Sequence, residues 1–249
     1  MLLELHVAAD SFVDEEPAKQ AAVWYEEQKQ LQANIQKALG PWEIDPPLTA
    51  TGRGEAQRAR LPSATGTVYV SPFRRTLETA AELKLGDWEV RVHPELYEVG
   101  GVYLEREGRR EGPGECMSAL EIEREVPNFD TSALQGARDR GWYQGTWESD
   151  AAARQRCARL VQWLRQLGAP GASGASAAWV VLVIHGHLID LLLKALLGIQ
   201  DDPAEDQENE NVMQGRRVVF FTPNCATAHV GLRPDGSVAV YHIGQSAKL

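Results

Sequence analysis

Residues 180–198, VVLVIHGHLIDLLLKALLG, leave this chain little choice of architecture. Val180, Val181, Leu182, Val183 and Ile184 form an apolar run without polar alternation, which suits a strand buried on both faces of a mostly parallel sheet. His185-Gly186 interrupts the run. From residue 188 to residue 197 apolar residues return at helical spacing, with Asp190 and Lys194 between them. Strand, His-Gly, helix puts a side chain at the carboxyl edge of a sheet, where open α/β folds bind ligands. It also sets that side chain beside the free N–H groups of a helix start, which favour anions. A capping or packing histidine fits the same place, so His185 stands as either. On the local pattern His187 is a loop or helix-start residue and Asp190 caps or pairs on the helix.

The 249 residues suffice for one large α/β domain or two small ones, and no linker or internal repeat divides them, so we expect a single domain over residues 1–249. The fold class expected is α/β, with a mostly parallel central sheet. A formal charge of -10 and a pI near 5.1 argue against sequence-independent nucleic-acid binding. They leave room for a small anion held by a local cationic pocket. Cys116, Cys157 and Cys225 are odd in number, widely spaced and without a metal-ligand pattern. They suit a reduced, intracellular and cytoplasmic chain without disulfides, and neither metal nor cofactor is expected. No charge-free apolar run reaches the roughly eighteen residues of a membrane span. Residues 2–7 are strand-like and are followed at once by acids, unlike a signal peptide.

Along the chain, residues 2–9 read as the first strand and residues 17–39 as an amphipathic helix, opened by Pro17 and stopped by Gly40-Pro41. Thr49 or Thr51 is the N-cap candidate of a helix that follows Pro46-Pro47. Residues 66–70 form a strand, 74–85 a helix and 88–93 another strand, with Gly100-Gly101 a turn. Residues 105–114 read as a polar, glycine-rich loop or lid, and short helices are expected within 116–147. Residues 150–167 form a helix with Ala153, Cys157, Leu160, Val161 and Leu164 on one stripe and Arg154, Arg156, Arg159 and Arg165 mainly off it. Residues 168–177 form a loop and 201–211, DDPAEDQENEN, an acidic surface insertion. Residues 217–222, 228–232 and 237–242 are strand candidates, the last two joined through a Pro234-Asp235-Gly236 turn.

Four separated pieces carry chemistry: Pro47-Leu48-Thr49 with Gly52-Arg53; residues 71–76, SPFRRT, with Glu78-Thr79-Ala80; Leu96-Tyr97-Glu98; and His185-Gly186. In this order, with Asn224-Cys225-Ala226 near the end, the chain resembles the histidine phosphatase superfamily, the phosphoglycerate mutase-like fold, from residue 2 to about residue 242. The resemblance implies a three-layer α/β/α sandwich and a phosphoryl-transfer pocket. In the family an Arg-His-Gly triplet ends the first strand and its histidine is transiently phosphorylated; a second His, a second Arg and an acidic proton donor complete the site. Neutral imidazole can attack phosphorus, guanidinium groups bind phosphoryl oxygens in paired hydrogen bonds, and a carboxylic acid protonates the leaving oxygen. By resemblance Arg75 matches the second Arg, His185 the second His and Glu98 the proton donor. Gly141-Trp142 and the 105–114 segment fall on the substrate side. Outside the family reading, Arg75 is a salt-bridge arginine, with Glu98 as one partner, and Glu98 a solvated loop residue.

The first motif departs from the family. Val7, Ala8 and Ala9 stand where Arg, His and Gly are expected, followed by Asp10 and Ser11. Ala8 holds the nucleophile position, and a methyl group cannot attack phosphorus. His6 shares a strand face with Ala8 but lies about 6.5–7 Å back along it, where in-line attack is implausible. A buried, hydrogen-bonded strand histidine is its ordinary role. Three readings stand at this point. One is a pseudophosphatase that retains a site for a small phosphorylated ligand at Arg75 and His185. The second is a phosphomonoester phosphatase of altered mechanism, with Asp10 activating water or attacking directly and His185 as acid or base. The third is a protein-interaction module using residues 17–39 or 201–211.

Overall fold

The computed structural model describes residues 2–8, 45–62, 64–106, 109–168, 179–200 and 218–245, with residues 2–8 given by their backbone path. The expected helix at 17–39, the loop at 168–177 beyond its first residue, and the acidic insertion at 201–211 lie outside the described residues, as do Asp10 and Ser11.

A six-stranded sheet organises the rest. It comprises β1 (Leu2–Ala8), β2 (Gly66–Val70), β3 (Glu89–Val92), β6 (Trp179–Val183), β7 (Cys225–Leu232) and β8 (Val238–Gln245), in the order β3-β2-β6-β1-β7-β8. The pairs β3/β2, β2/β6 and β6/β1 are parallel, whereas β1/β7 and β7/β8 are antiparallel. The apolar run at 180–184 thus lies at the middle of the parallel part, buried on both sides. Its residues alternate between two cores. Val180, Leu182 and Ile184 pack with Leu160 and Leu164 of α4 (Asp150–Leu167) and with Leu188 and Leu192 of α5 (Gly186–Leu197). Val181 and Val183 pack with Leu77 and Ala80 of α2 (Arg74–Glu82) and with Ile122 of α3 (Ala119–Glu125). Period-2 alternation sends successive side chains to opposite faces, and here each face meets its own helices. The result is the three-layer α/β/α arrangement. The remaining helix, α1 (Ala50–Arg58), is capped by Thr49, whose Oγ1 accepts from the Gly52 amide at 3.1 Å.

Several boundaries differ from expectation. Residues 105–114 do not form a loop throughout: β4 (Leu104–Arg106) and β5 (Arg109–Glu111) pair antiparallel as a short hairpin. Three-residue charged strands carry no apolar alternation, so the sequence gives no period to read. Residues 218–222 join no ladder, although Thr222 is buried. The short helices expected within 116–147 are α3 and a 3-10 turn over Ser132–Ala137. Arg156, assigned off the apolar stripe of α4, is 1% exposed. It lies three residues after Ala153 and four before Leu160, which is the stripe's own spacing. The hairpin turn before β8 forms as expected, with the Gly236 amide bonded to the Arg233 carbonyl at 3.0 Å and φ of 87° at Gly236. No helix among the described residues is long and apolar enough to cross a membrane.

Candidate functional site

The carboxyl ends of β2, β6 and β1 lie side by side, and the candidate residues follow them directly. Val70 is level with Val183 across β2/β6, and His6 is level with Val183 across β6/β1. Two residues further on, the chain reaches Ala8 on one strand and His185 on the other. His6 itself sits inside the ladder, paired also with Thr227 of β7. Ala8 pairs with Cys225, the first residue of β7, which has a positive φ of 52°.

His185 is the N-cap residue of α5, extended at φ -119° and ψ 155°, and only 5% exposed. Its Nδ1 lies 3.1 Å from Nη2 of Arg75 and its Nε2 lies 2.8 Å from Oγ of Ser71. A guanidinium only donates, so Nδ1 accepts and the ring proton resides on Nε2, which donates to Ser71. Burial, then the Arg75 and Arg156 charges, hold His185 well below the ordinary histidine pKa, so the ring is neutral at physiological pH. The Phe73 ring meets it edge-on at 5.0 Å and also carries the Arg75 guanidinium on its face at 4.3 Å. Ser71 comes to the imidazole because its amide continues the β2/β6 ladder onto the Val183 carbonyl at 3.1 Å. Thr79, by contrast, spends its hydroxyl on the Arg75 carbonyl within α2 at 2.7 Å.

Arg75 is the second residue of α2 and its side chain remains 31% exposed. Burial lowers its pKa, against the Glu98 and Asp45 charges, yet an arginine stays cationic. The pairing of Arg75 with Glu98 is therefore electrostatic, and the closer carboxylate contact is to Asp45, with Oδ1 at 3.9 Å from Nη1. Asp45 is absent from the sequence expectation. Both its oxygens accept the Arg74 amide, at 2.8 and 3.0 Å, across 29 residues. They supply the side-chain cap that Phe73, the N-cap residue of α2, does not. Its carboxyl is 7% exposed, and burial raises its pKa from 3.8 to about 6 despite the opposing Arg74 amide and Arg75 charge. Asp45-Pro46 reads locally as a turn, and nothing nearby marks its distant partner.

Glu78 ties the first motif to the second. Its Oε2 accepts from the Leu48 amide at 2.9 Å and from Arg53 Nη2 at 2.6 Å, while Oε1 accepts from Arg74 Nε at 3.1 Å. Arg53 also reaches Glu82 at 3.2 Å. The Leu48-Thr49 and Gly52-Arg53 motif therefore fastens the 45–49 loop onto α2 and so delivers Asp45 to its start.

Glu98 lies past β3, in a turn closed by the Gly101 amide on the Glu98 carbonyl at 3.0 Å, with Gly100 and Gly101 both at positive φ. Its Oε1 accepts from the Val99 amide at 2.8 Å and from the Leu188 amide of α5 at 3.1 Å. Glu98 thus caps the helix that His185 itself leaves uncapped. A buried cluster holds this turn in place. Arg156 donates to Glu148 through Nε at 2.9 Å and Nη2 at 2.6 Å, and through Nη1 to the Glu95 and Tyr97 carbonyls at 2.7 and 3.0 Å. Tyr97 Oη donates to Glu148 at 3.0 Å. Trp142 packs against Phe73 at 5.3 Å and against Tyr143 at 5.4 Å, closing an aromatic side wall. His187 faces Asp150 at 3.5 Å, and Asp190 pairs with Lys194 at 2.9 Å and accepts the Phe220 amide at 2.8 Å, both within structural roles. Among the described residues no group of three or more His, Cys, Asp or Glu is arranged to hold a metal ion.

At the carboxyl ends of these parallel strands the α/β fold gathers a neutral histidine, an arginine and two carboxylates. Residues 30–213 match the histidine phosphatase superfamily, branch 1, and the chain belongs to that superfamily. Among solved structures, Bacillus stearothermophilus YhfR superposes with a TM-score of 0.54 at 18% identity, over 99% of this chain and 98% of its own. The alpha-ribazole phosphatase of Shigella flexneri gives 0.52 at 18% identity, over 98% and 96%. A mycobacterial glucosyl-3-phosphoglycerate phosphatase gives 0.50 at 19% identity, over 99% and 98%. At these identities the likeness is one of fold. No curated protein matches the chain.

Proposed function

We propose that this chain is a histidine-phosphatase-fold protein without phosphohistidine turnover, which keeps a pocket for the phosphoryl group of a small phosphorylated ligand at Arg75 and His185. The observation that carries this reading is the strand register: two residues beyond the His6–Val183 rung, His185 ends one strand and Ala8 the other. On the resemblance of the first strand to the family's, that strand end is read as the nucleophile position, and Val7-Ala8 offers neither an imidazole nor a guanidinium there. In other hydrolases, loss of the nucleophile costs on the order of a millionfold in turnover, and loss of a phosphate-binding arginine removes further transition-state stabilisation. The groups that would bind without reacting remain together. Arg75 supplies charge and paired donors and fixes the tautomer of the neutral His185, whose Nε2 proton is taken by Ser71. Phosphatases of small phosphorylated metabolites among the fold relatives make a small phosphomonoester the ligand class of choice.

Inorganic phosphate titrated into the purified protein by calorimetry should bind saturably, and Arg75→Ala should abolish the heat. Absence of binding at millimolar phosphate, or binding that survives Arg75→Ala, contradicts the retained pocket.

A further inference from the structure

We infer that Asp45 is a positioning residue that sets the anion affinity of Arg75, holding the guanidinium in its ionised form and releasing it to an incoming oxyanion when protonated. The inference rests on the reading of Arg75 as the anion-binding residue. Its geometry is specific. Asp45 is held by two contacts to the Arg74 amide at 2.8 and 3.0 Å, and its Oδ1 lies 3.9 Å from Nη1 of the neighbouring Arg75. The other edge of the same guanidinium rests on His185 Nδ1 at 3.1 Å. An oxyanion that takes Arg75 must therefore share its charge with a buried carboxylate already within ion-pair range.

The groups that face Asp45 are few. Arg74, Arg75 and Glu78 act on it from α2. Cys116, from the segment before α3, feels its charge but has a thiol pushed above the ordinary range, chiefly by burial, and stays neutral. Glu98 and His185 face Arg75 from the other side. Burial, then the Arg75 and Arg156 charges, hold His185 well below 6.5, so Asp45 is protonated ahead of it as the pH falls. With its carboxyl pKa raised to about 6, Asp45 changes charge between mildly acidic and neutral solution. Acidification should then strengthen anion binding by removing the competitor.

Sulfate is the probe, because it stays dianionic throughout and contributes no titration of its own. Coupling between two adjacent sites is typically worth 5–150-fold, and for this contact we expect sulfate to bind about tenfold more tightly near pH 5 than near pH 7.5. Asp45→Asn should bind at both values as tightly as the native protein does near pH 5, and Arg75→Ala should bind at neither. The native profile needs no variant, so a poorly folded Asp45→Asn leaves the test intact. Equal native affinity at the two pH values, with binding that depends on Arg75, overturns the role of Asp45 alone. Binding of Asp45→Asn weaker than native near pH 5 overturns it too. No sulfate binding by native protein or by Asp45→Asn at either pH overturns both this role and the retained pocket.

Discussion

Asp45 and His185 flank one guanidinium, at 3.9 and 3.1 Å, and they pull stability in opposite directions as the pH falls. Asp45 has a folded pKa of about 6 against an ordinary 3.8. Between those values the folded chain holds a proton that the unfolded chain has released, so acidification through this window stabilises the fold. Above about 6 the full burden of the buried carboxylate is present. His185 behaves in reverse. Its folded pKa is depressed below 6.5, so below 6.5 the unfolded chain takes up protons first and stability is lost as pH falls toward the folded value. The difference between native protein and Asp45→Asn isolates the first effect, because asparagine keeps an oxygen for the Arg74 amide and carries no charge. We expect Asp45→Asn to be more stable by about 1–3 kcal/mol near pH 7.5, with the gap closing near pH 4. Thermal melts at the two pH values check this. A gap independent of pH, or a destabilised variant near neutrality, contradicts the assignment.

At the scale of elements, each helix that borders the site takes its cap from elsewhere in the chain. Asp45 serves α2 and Glu98 serves α5, while Phe73 and His185 occupy the N-cap positions without capping. The strand–helix junctions thereby keep His185 free to face Arg75 and Ser71. The turn that carries Glu98 depends in turn on Arg156, 1% exposed, whose guanidinium holds Glu148 and two carbonyls of residues 95 and 97. Removing one partner of a buried pair costs about 3–5 kcal/mol, because the other charge is stranded. Arg156→Ala should lose about that much stability in urea unfolding, and Arg156→Ala with Glu148→Ala should lose less than the two single variants added together. A single-variant loss below about 1 kcal/mol would show that the turn stands without the pair. These ties between distant parts of the chain explain what the sequence did and did not reveal. The helix at 150–167 and the strand at residues 179–183 announce themselves through period, and Arg75, Glu98 and His185 through motif order. Asp45 and Glu148 act on partners through the tertiary fold, and neither has a local pattern of its own. Arg156 was legible in principle, since its spacing lies on the buried stripe, but its charge argued for the surface.

Across the whole molecule, the fold is that of the histidine phosphatase superfamily. The central strand divides its side chains between two cores, fixing the register that sets His185 beside the end of β1. Such a framework depends on apolar packing over the entire sheet and does not depend on the identity of one side chain at a strand end. Arg75 on α2 and His185 at the start of α5 lie within the same helix-capping and packing network. The central claim is that phosphohistidine turnover is missing because Val7 and Ala8 stand at the nucleophile end of β1. Turnover on a broad panel of phosphomonoesters, measured on the native protein beside Val7→Arg with Ala8→His, tests that claim most directly. The account predicts a silent native protein and measurable hydrolysis in the double variant. Hydrolysis by the native protein that is lost in His185→Ala would contradict it.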